Sequence, residues 1–130
     1  SNNDLDMFDE MRDAAMLGKL AADDASAVDA GTAVRLGTEG SAAALGLDSG
    51  RLEAGANADL AVLDLDAPHL TPQHDLVSHL AYAARGSDVR HTVCDGQVLM
   101  RDRELTTIDL ARTRREAEEQ AHALFERAAD

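Results

Sequence analysis

The sequence predicts an α+β domain with a small, partly antiparallel sheet, and three observations carry that expectation. Leu5, Phe8, Met11 and Ala15 recur at three- and four-residue spacing, the period of a helix buried along one face. Short aliphatic runs bounded by Gly, Pro and Asp, such as Asp59–Leu65, have the pattern of strands. Helical and strand patterns alternate irregularly, and three or four short strands are too few to close a barrel alone. At 130 residues and 45% hydrophobic content, the chain can bury a core.

The elements follow in order. Residues 4–22 read as a helix, with Asn3 as the expected N-cap and Asp6 three residues on. Asp4, Asp6, Asp9 and Glu10 crowd its start and Lys19 sits near its end, an order that suits the helix dipole. A polar break at 23–29 leads to a helix over 30–47, kinked near Gly37. Gly50 and Gly55 bracket a turn-rich piece with a short strand around Arg51–Glu53. A strand over 59–65 precedes an irregular loop marked by Pro68 and Pro72. Residues 75–84 read as a short helix with Leu76, Val77, Leu80 and Ala84 inward. Strands at 89–94 and 97–101 flank Asp95-Gly96, a pair suited to a type I′ hairpin because both positions need positive φ. A last helix runs from about Asp109 to Ala128, capped by Thr107 or Asp109.

Charge narrows the function classes. The chain carries 25 acidic residues against 12 basic ones, a net charge of −13. Phosphate backbones would be repelled, so nucleic acid is not an expected partner. Asp outnumbers Glu, and Lys19 is the only lysine beside many arginines. Acids scattered in this way resemble a surface adapted to high salt, where counterions screen self-repulsion. No apolar run is long enough to span a membrane and no basic-then-apolar leader is present, so neither a membrane nor secretion is expected and a soluble cytoplasmic protein is. Cys94, the single cysteine, has no internal disulfide partner.

The candidate chemical groups are few. His69, His74 and His79 are spaced by five, with Asp75 four residues before His79. Zinc needs three or four converging ligands, and no H-x-H, H-E-x-x-H or paired-Cys spacing is present. These histidines read as surface residues. Cys94 with His91 could form a nucleophile pair, but residues three apart on a strand face opposite ways, and Cys94 reads as a small buried hydrophobe. Asp59 and Asp64, five apart, face opposite ways too, and Asp59 is expected to fix a turn. Gly50, Gly55 and Gly96 form no phosphate loop. The sequence therefore offers no catalytic residue and no metal ligand set of its own.

Two stretches carry a resemblance. Gly50, Leu52, Gly55, Ala58, Asp59, Leu60, Val62, Leu63 and Asp64 fit the pattern G-x-L-x-x-G-x-x-A-D-L-x-V-L-D, and Ser78, Tyr82, Asp88, Val89, Val93 and Gly96 fit a later one. Residues 1–7 read S-N-N-D-L-D-M. In order, these resemble the C-terminal part of a metal-dependent amidohydrolase. The branch is that of S-adenosylhomocysteine/methylthioadenosine, cytosine and guanine deaminases and the triazine chlorohydrolases. The resemblance implies the last helix of a (β/α)8 barrel plus the C-terminal half of a small composite β-sandwich, with a C-terminal helix. It divides the chain into residues 1–47 (last barrel helix and connecting helices), 48–106 (sandwich flank with an inserted helix at 75–84) and 107–130 (C-terminal helix).

The resemblance also implies a function. A parent enzyme would deaminate or dechlorinate a purine-, pyrimidine- or triazine-like ring with water activated by zinc or iron. Its partners would be that small heterocycle and the missing barrel portion. The metal-binding Asp that precedes the S-N-N-x-L-D-M stretch, the H-x-H pair and the later histidines do not occur in these residues. The chain alone is therefore expected to bind no catalytic metal and to be inactive. Ser1, Asn2 and Asn3 are the substrate-binding candidates, in an intact enzyme only, since they follow the last barrel strand. The alternative is a free-standing, non-catalytic binding or assembly domain. In the isolated chain the stripe from Leu5 to Ala15 is expected to lie exposed and to drive self-association.

The charge balance generates a first prediction. A compact state with a net charge of −13 gains from screening. The thermal midpoint is expected to rise between low and molar potassium chloride, and a flat or falling midpoint would remove the salt-adapted reading.

Overall fold

The structure, a computed structural model, describes residues 4–129. Helix α1 is Met7–Ala22. It starts three residues later than the apolar pattern predicts because Asp6 is its N-cap: Asp6 is extended and its carboxylate accepts from the Phe8 N–H at 2.9 Å. Asn3, the expected cap, lies outside the described residues. Helix α2 is Ala30–Arg35, capped by Asp29, which accepts from the Thr32 N–H at 2.7 Å. One wide turn of π-helix over Leu36–Gly40 leads into α3, Ser41–Leu45. This turn is the expected kink. A Cβ at Gly37 would stand 2.6 Å from the Met11 sulfur, so a bare backbone lets α1 and the turn close on each other.

The strand expected at 51–53 does not form. Arg51 pairs with both Asp48 and Glu53, which holds that piece in turns. Strand β1 is Leu60–Leu63, helix α4 Leu76–Tyr82, and strands β2 and β3 are Val89–Cys94 and Gln97–Arg101. The hairpin between β2 and β3 turns on Asp95 at φ 49° and Gly96 at φ 75°, the two positive values that the Asp-Gly pair predicts. A two-residue strand β4, Glu104–Leu105, was not expected; a second tight turn with Asp102 and Arg103 at positive φ brings it back onto β3. Helix α5 is Leu110–Ala129, and Asp109 accepts from the Arg112 N–H at 3.0 Å.

The four strands form one antiparallel sheet in the order β1-β2-β3-β4. Leu60 faces Val93 and Val62 faces His91, with the register slipping before Leu63 meets Val89. Val93 in turn faces Val98.

The core lies among the helices. Ala15, Ala33 and Ala81, each 0% exposed, bring α1, α2 and α4 together, with Met11 beside them and Phe8, Val28, Val34 and Tyr82 packed around. The stripe expected to lie exposed on α1 is therefore folded back: Met11 and Ala15 are buried against α2 and α4, and only Leu5 is open to water. The inward positions of α4 also differ. Ala81 and Ala84 are buried, while Leu76 and Val77 are exposed. Small residues let α4 approach its neighbours closely. Val77, one turn before Ala81, lines an open cleft, and Leu76 falls off the buried face.

The sheet and α5 are open by contrast. No residue of the four strands is buried, and neither is any described side chain of α5. The accessible surface is 9459 Å². A compact monomer of this mass would expose about 6,600 Å². Antiparallel sheets ordinarily cover one face.

Two glycines test this account. Gly96 sits at positive φ with nothing within 4 Å of a built Cβ, so Gly96→Val meets only the backbone cost, about 1–3 kcal/mol. Gly50 is also at positive φ, and a Cβ there would lie 2.7 Å from the Thr38 backbone. Gly50→Ala is expected to cost more than Gly96→Val, roughly 2–5 kcal/mol. Denaturant unfolding of both variants reads the order directly, and a reversed order would show that Gly50 does not pack on the π turn.

Candidate functional site

The densest set of polar contacts lies where α1 begins and the connection from α4 to β2 passes. Asp6 is the centre of its upper half. Its Oδ1 caps α1, and its Oδ2 accepts from the Gly86 N–H at 2.6 Å. On the next turns of α1, Arg12 donates from Nε to the Tyr82 carbonyl at 3.1 Å and from Nη2 to the Ala84 carbonyl at 2.8 Å, and it pairs with Asp9. The Tyr82 carbonyl is the last of α4 and the Ala84 carbonyl lies just beyond it, so a guanidinium is well suited to this helix end.

Two residues on, Asp88 is the one buried charged side chain among the described residues. It accepts from the Arg85 N–H at 2.9 Å and faces His69 Nε2 at 2.9 Å. Sequence reasoning assigned His69 to the surface and gave Asp88 no role. Both aspartates lie within the stretches that carry the resemblance. The signal there was a carboxylate with neither a strand nor a turn position to explain it.

The other sequence candidates do not converge. His74 and His79 stack edge to face, and each has a ring nitrogen on the Pro72 carbonyl, at 3.2 and 3.1 Å. His91 Nδ1 accepts from the Asp102 N–H at 3.1 Å on the far side of the sheet turn. Asp59 accepts from the Asp95 N–H at 2.7 Å, the turn-fixing role expected of it, while Asp64 accepts from the Asp66 N–H at 3.1 Å and faces Arg103. These two acids serve separate partners. Ser1, Asn2 and Asn3 lie outside the described residues.

Cys94 is exposed, not buried as expected. It ends β2 at the rim of an uncovered sheet, so it has no apolar layer to enter. The Asp59 carboxylate beside it pushes the thiol pKa above its ordinary value, and the Asp95 N–H holds Asp59 below the usual carboxylate range. A thiol held protonated is a poor nucleophile.

Two clefts lie along the helices. One of about 510 Å³ lies between α1, α2 and α4, with Lys19, Asp29, Asp75 and Tyr82 on its walls. Each has a structural partner. Lys19 donates to the Val28 carbonyl at 2.6 Å and to the Tyr82 hydroxyl at 3.0 Å, and the two aspartates cap helices. The other, of about 280 Å³, is largely apolar, between Met7, Met11 and Leu36. Among the described residues no three His, Cys, Asp or Glu side chains are placed to hold a metal ion. They do not fit the metal that the resemblance implies. No helix among them is long and apolar enough to cross a membrane.

The chain belongs to the amidohydrolase family, whose model matches residues 1–99. It is 74% identical over all 130 residues to a 5-methylthioadenosine/S-adenosylhomocysteine deaminase of Haloarcula marismortui, of which it covers 30%. It is 42% identical over 127 residues, 98% of the chain, to a 5'-deoxyadenosine deaminase of Methanosarcina mazei, of which it covers 29%. A zinc-bound adenosine deaminase from Xanthomonas campestris superposes with a TM-score of 0.93 at 41% identity, over 97% of this chain and 29% of that one. A zinc complex of the atrazine chlorohydrolase of Arthrobacter aurescens gives 0.72 at 30% identity, over 81% of this chain and 24% of that one. The chain thus spans about 30% of the length of the curated relatives it matches. Helix α5 lies beyond the residues that the family model matches.

The Cys94 site generates its own prediction. In Asp59→Asn the carbonyl oxygen still accepts from the Asp95 N–H, but the negative charge beside the thiol is gone. The thiol pKa falls, so the thiolate fraction at pH 8 rises and alkylation by iodoacetamide is expected to be faster than in the parent. An equal or slower rate would mean that Asp59 does not set the thiol.

Proposed function

We propose that this chain is the C-terminal part of a metal-dependent hydrolase that removes ammonia from the adenine ring of an adenosine derivative, such as 5'-methylthioadenosine or S-adenosylhomocysteine. The observation that carries the reading is the 74% identity, without a break in coverage, to a deaminase of that description. In this reading α1 is the last barrel helix, α2 and α3 connect it to the flank, and the sheet is the C-terminal share of a composite sandwich. Ser1, Asn2 and Asn3 are the proposed substrate-binding residues of the intact enzyme, a reading that rests on their sequence position ahead of α1.

The 9459 Å² of accessible surface supports it, since an uncovered sheet and helix need a further layer. That layer is the barrel portion, and a second copy of the enzyme where the assembly is symmetric. The acidic surface fits a salt-rich cytoplasm, in keeping with haloarchaeal relatives from Haloarcula and Halobacterium. The metal, zinc or iron, activates the attacking water in such enzymes. Its ligands are expected outside residues 4–129. What residues 4–129 contribute is placement: they seat the last barrel helix and close one flank.

The test is an ammonia-release assay on the full-length, metal-loaded protein. The substrates are 5'-methylthioadenosine, S-adenosylhomocysteine, cytosine and a chlorotriazine. Ammonia from either adenosine derivative is the expected result. Chloride from the triazine with no ammonia from the nucleosides would move the protein to the chlorohydrolase branch. No turnover of any of them would favour a binding or assembly role.

A further inference from the structure

We propose that the apolar face of α5 is a docking surface for a second copy of this chain, the two helices running antiparallel about a two-fold axis at the level of Glu119. The helix stands clear of its neighbours. No described side chain of Leu110–Ala129 is buried, and Leu110, Leu124 and Phe125 are 45%, 57% and 71% exposed. At 3.6 residues per turn, Leu110, Ala117, Ala121 and Ala128 lie within about 40° of one another, with Leu124 and Phe125 on either side. Such a stripe on a helix without a covering layer marks an interaction surface.

Spacing and charge both select a second copy as the occupant. The stripe reads the same from either end: seven residues from Leu110 to Ala117, four to Ala121 and seven to Ala128. An antiparallel copy therefore sets Leu110 against Ala128 and Ala117 against Ala121, each contact occurring twice. Thr113 and Arg114 come level with Phe125 and Leu124. Large opposes small along the stripe, and the central alanines let the two backbones approach closely. As to charge, α5 holds four arginines and four glutamates, so it is neutral in a chain whose net charge is −13. A second copy meets less repulsion here than on the acidic remainder. Arg112, Arg114 and Arg115 fall in the first six residues of α5 with no acid among them. That is the reverse of α1 and unfavourable for the dipole of an isolated helix. An antiparallel partner lays its C-terminal, negative end beside those arginines and turns the order into an attraction. A parallel partner would set arginine beside arginine.

Sedimentation of the full-length protein in molar potassium chloride, where the repulsion between acidic copies is screened, reads the assembly. A dimer or an even-numbered multiple is expected. Ala121→Glu places like charges near the two-fold axis, so it is expected to halve the sedimenting mass and leave the circular dichroism unchanged. A second measurement does not depend on that variant. In a Cys94→Ser background, Ala117→Cys copies are mixed with Ala121→Cys copies and oxidised. The mixed disulfide is expected well above the half share that random pairing gives, because only the antiparallel register brings those two positions together. A monomeric or odd-numbered wild type, or an assembly that Ala121→Glu leaves intact, overturns the proposal. An excess of like disulfides would show a parallel pair and overturn it too. Loss of helix content in Ala121→Glu with no mixed disulfide would place the stripe against the rest of its own chain, which also overturns it.

Discussion

Asp88 is a buried carboxylate, and a buried charge persists only where its hydrogen-bonding capacity is met. Its partners come from both sides: the Arg85 N–H before it in the chain and the His69 ring from the loop that follows β1. Its own carbonyl accepts from the Asp64 N–H at 2.8 Å, which pins the end of β1. Within the same four residues, Gly86 donates to Asp6 and the Ser87 carbonyl accepts from Arg103 in the β3–β4 turn, at 3.4 Å. Helix α1, the 64–70 loop and both edges of the sheet are thus referenced to one short connection. Removing the carboxylate would leave the Arg85 N–H and the His69 ring without their partner inside that connection.

The helical half has a different economy. Three fully buried alanines let α1, α2 and α4 approach closely, but an alanine removes little apolar area from water, and stabilisation scales with that area. Polar side chains on backbone carbonyls make up the difference. Arg12 holds the end of α4, and Lys19 holds Val28, whose φ of 47° is unfavourable for a β-branched residue. Gly18 makes room for that strain: a Cβ there would lie 2.5 Å from a Val28 methyl. The ammonium of Lys19 also lies 5.4 Å from the centre of the Tyr82 ring, so one cation joins the 23–29 break, α1 and α4. In a chain with one lysine, that placement explains why this position is basic.

What the sequence made legible was local. The Asp95-Gly96 turn, the strands on either side of it, the Asp109 cap and the break after α1 are each written in fewer than ten adjacent residues. The misreadings share one cause. Helix α1 is capped by Asp6, whose second oxygen reaches Gly86, far along the chain. The faces of α4 and the exposure of Cys94 depend on what stands opposite them. Arg51–Glu53 has the length of a strand, but Asp48 and Glu53 engage Arg51 before any neighbour can pair with it. The candidate site was half legible: both of its stretches drew notice for their motifs, but the Asp6–Gly86 and His69–Asp88 contacts join positions that no local pattern links.

Charge and openness act against each other in this chain. Many of its aspartates are engaged: Asp24, Asp29, Asp59, Asp64, Asp75 and Asp102 accept hydrogen bonds that hold their carboxyls below the usual range. A carboxyl with a depressed folded-state pKa contributes stability above its unfolded pKa, and that contribution is lost as pH falls through the folded value. Acid would therefore relieve the repulsion of a net charge of −13 while removing the caps and turn anchors that the same aspartates provide. Salt relieves the repulsion and leaves the short hydrogen-bonded contacts largely in place, since screening acts most strongly on distant exposed charges. An acidic surface built from capping aspartates is thus suited to high ionic strength and not to low pH. The uncovered sheet has the same dependence, because any layer that closes over it must first approach a strongly negative body.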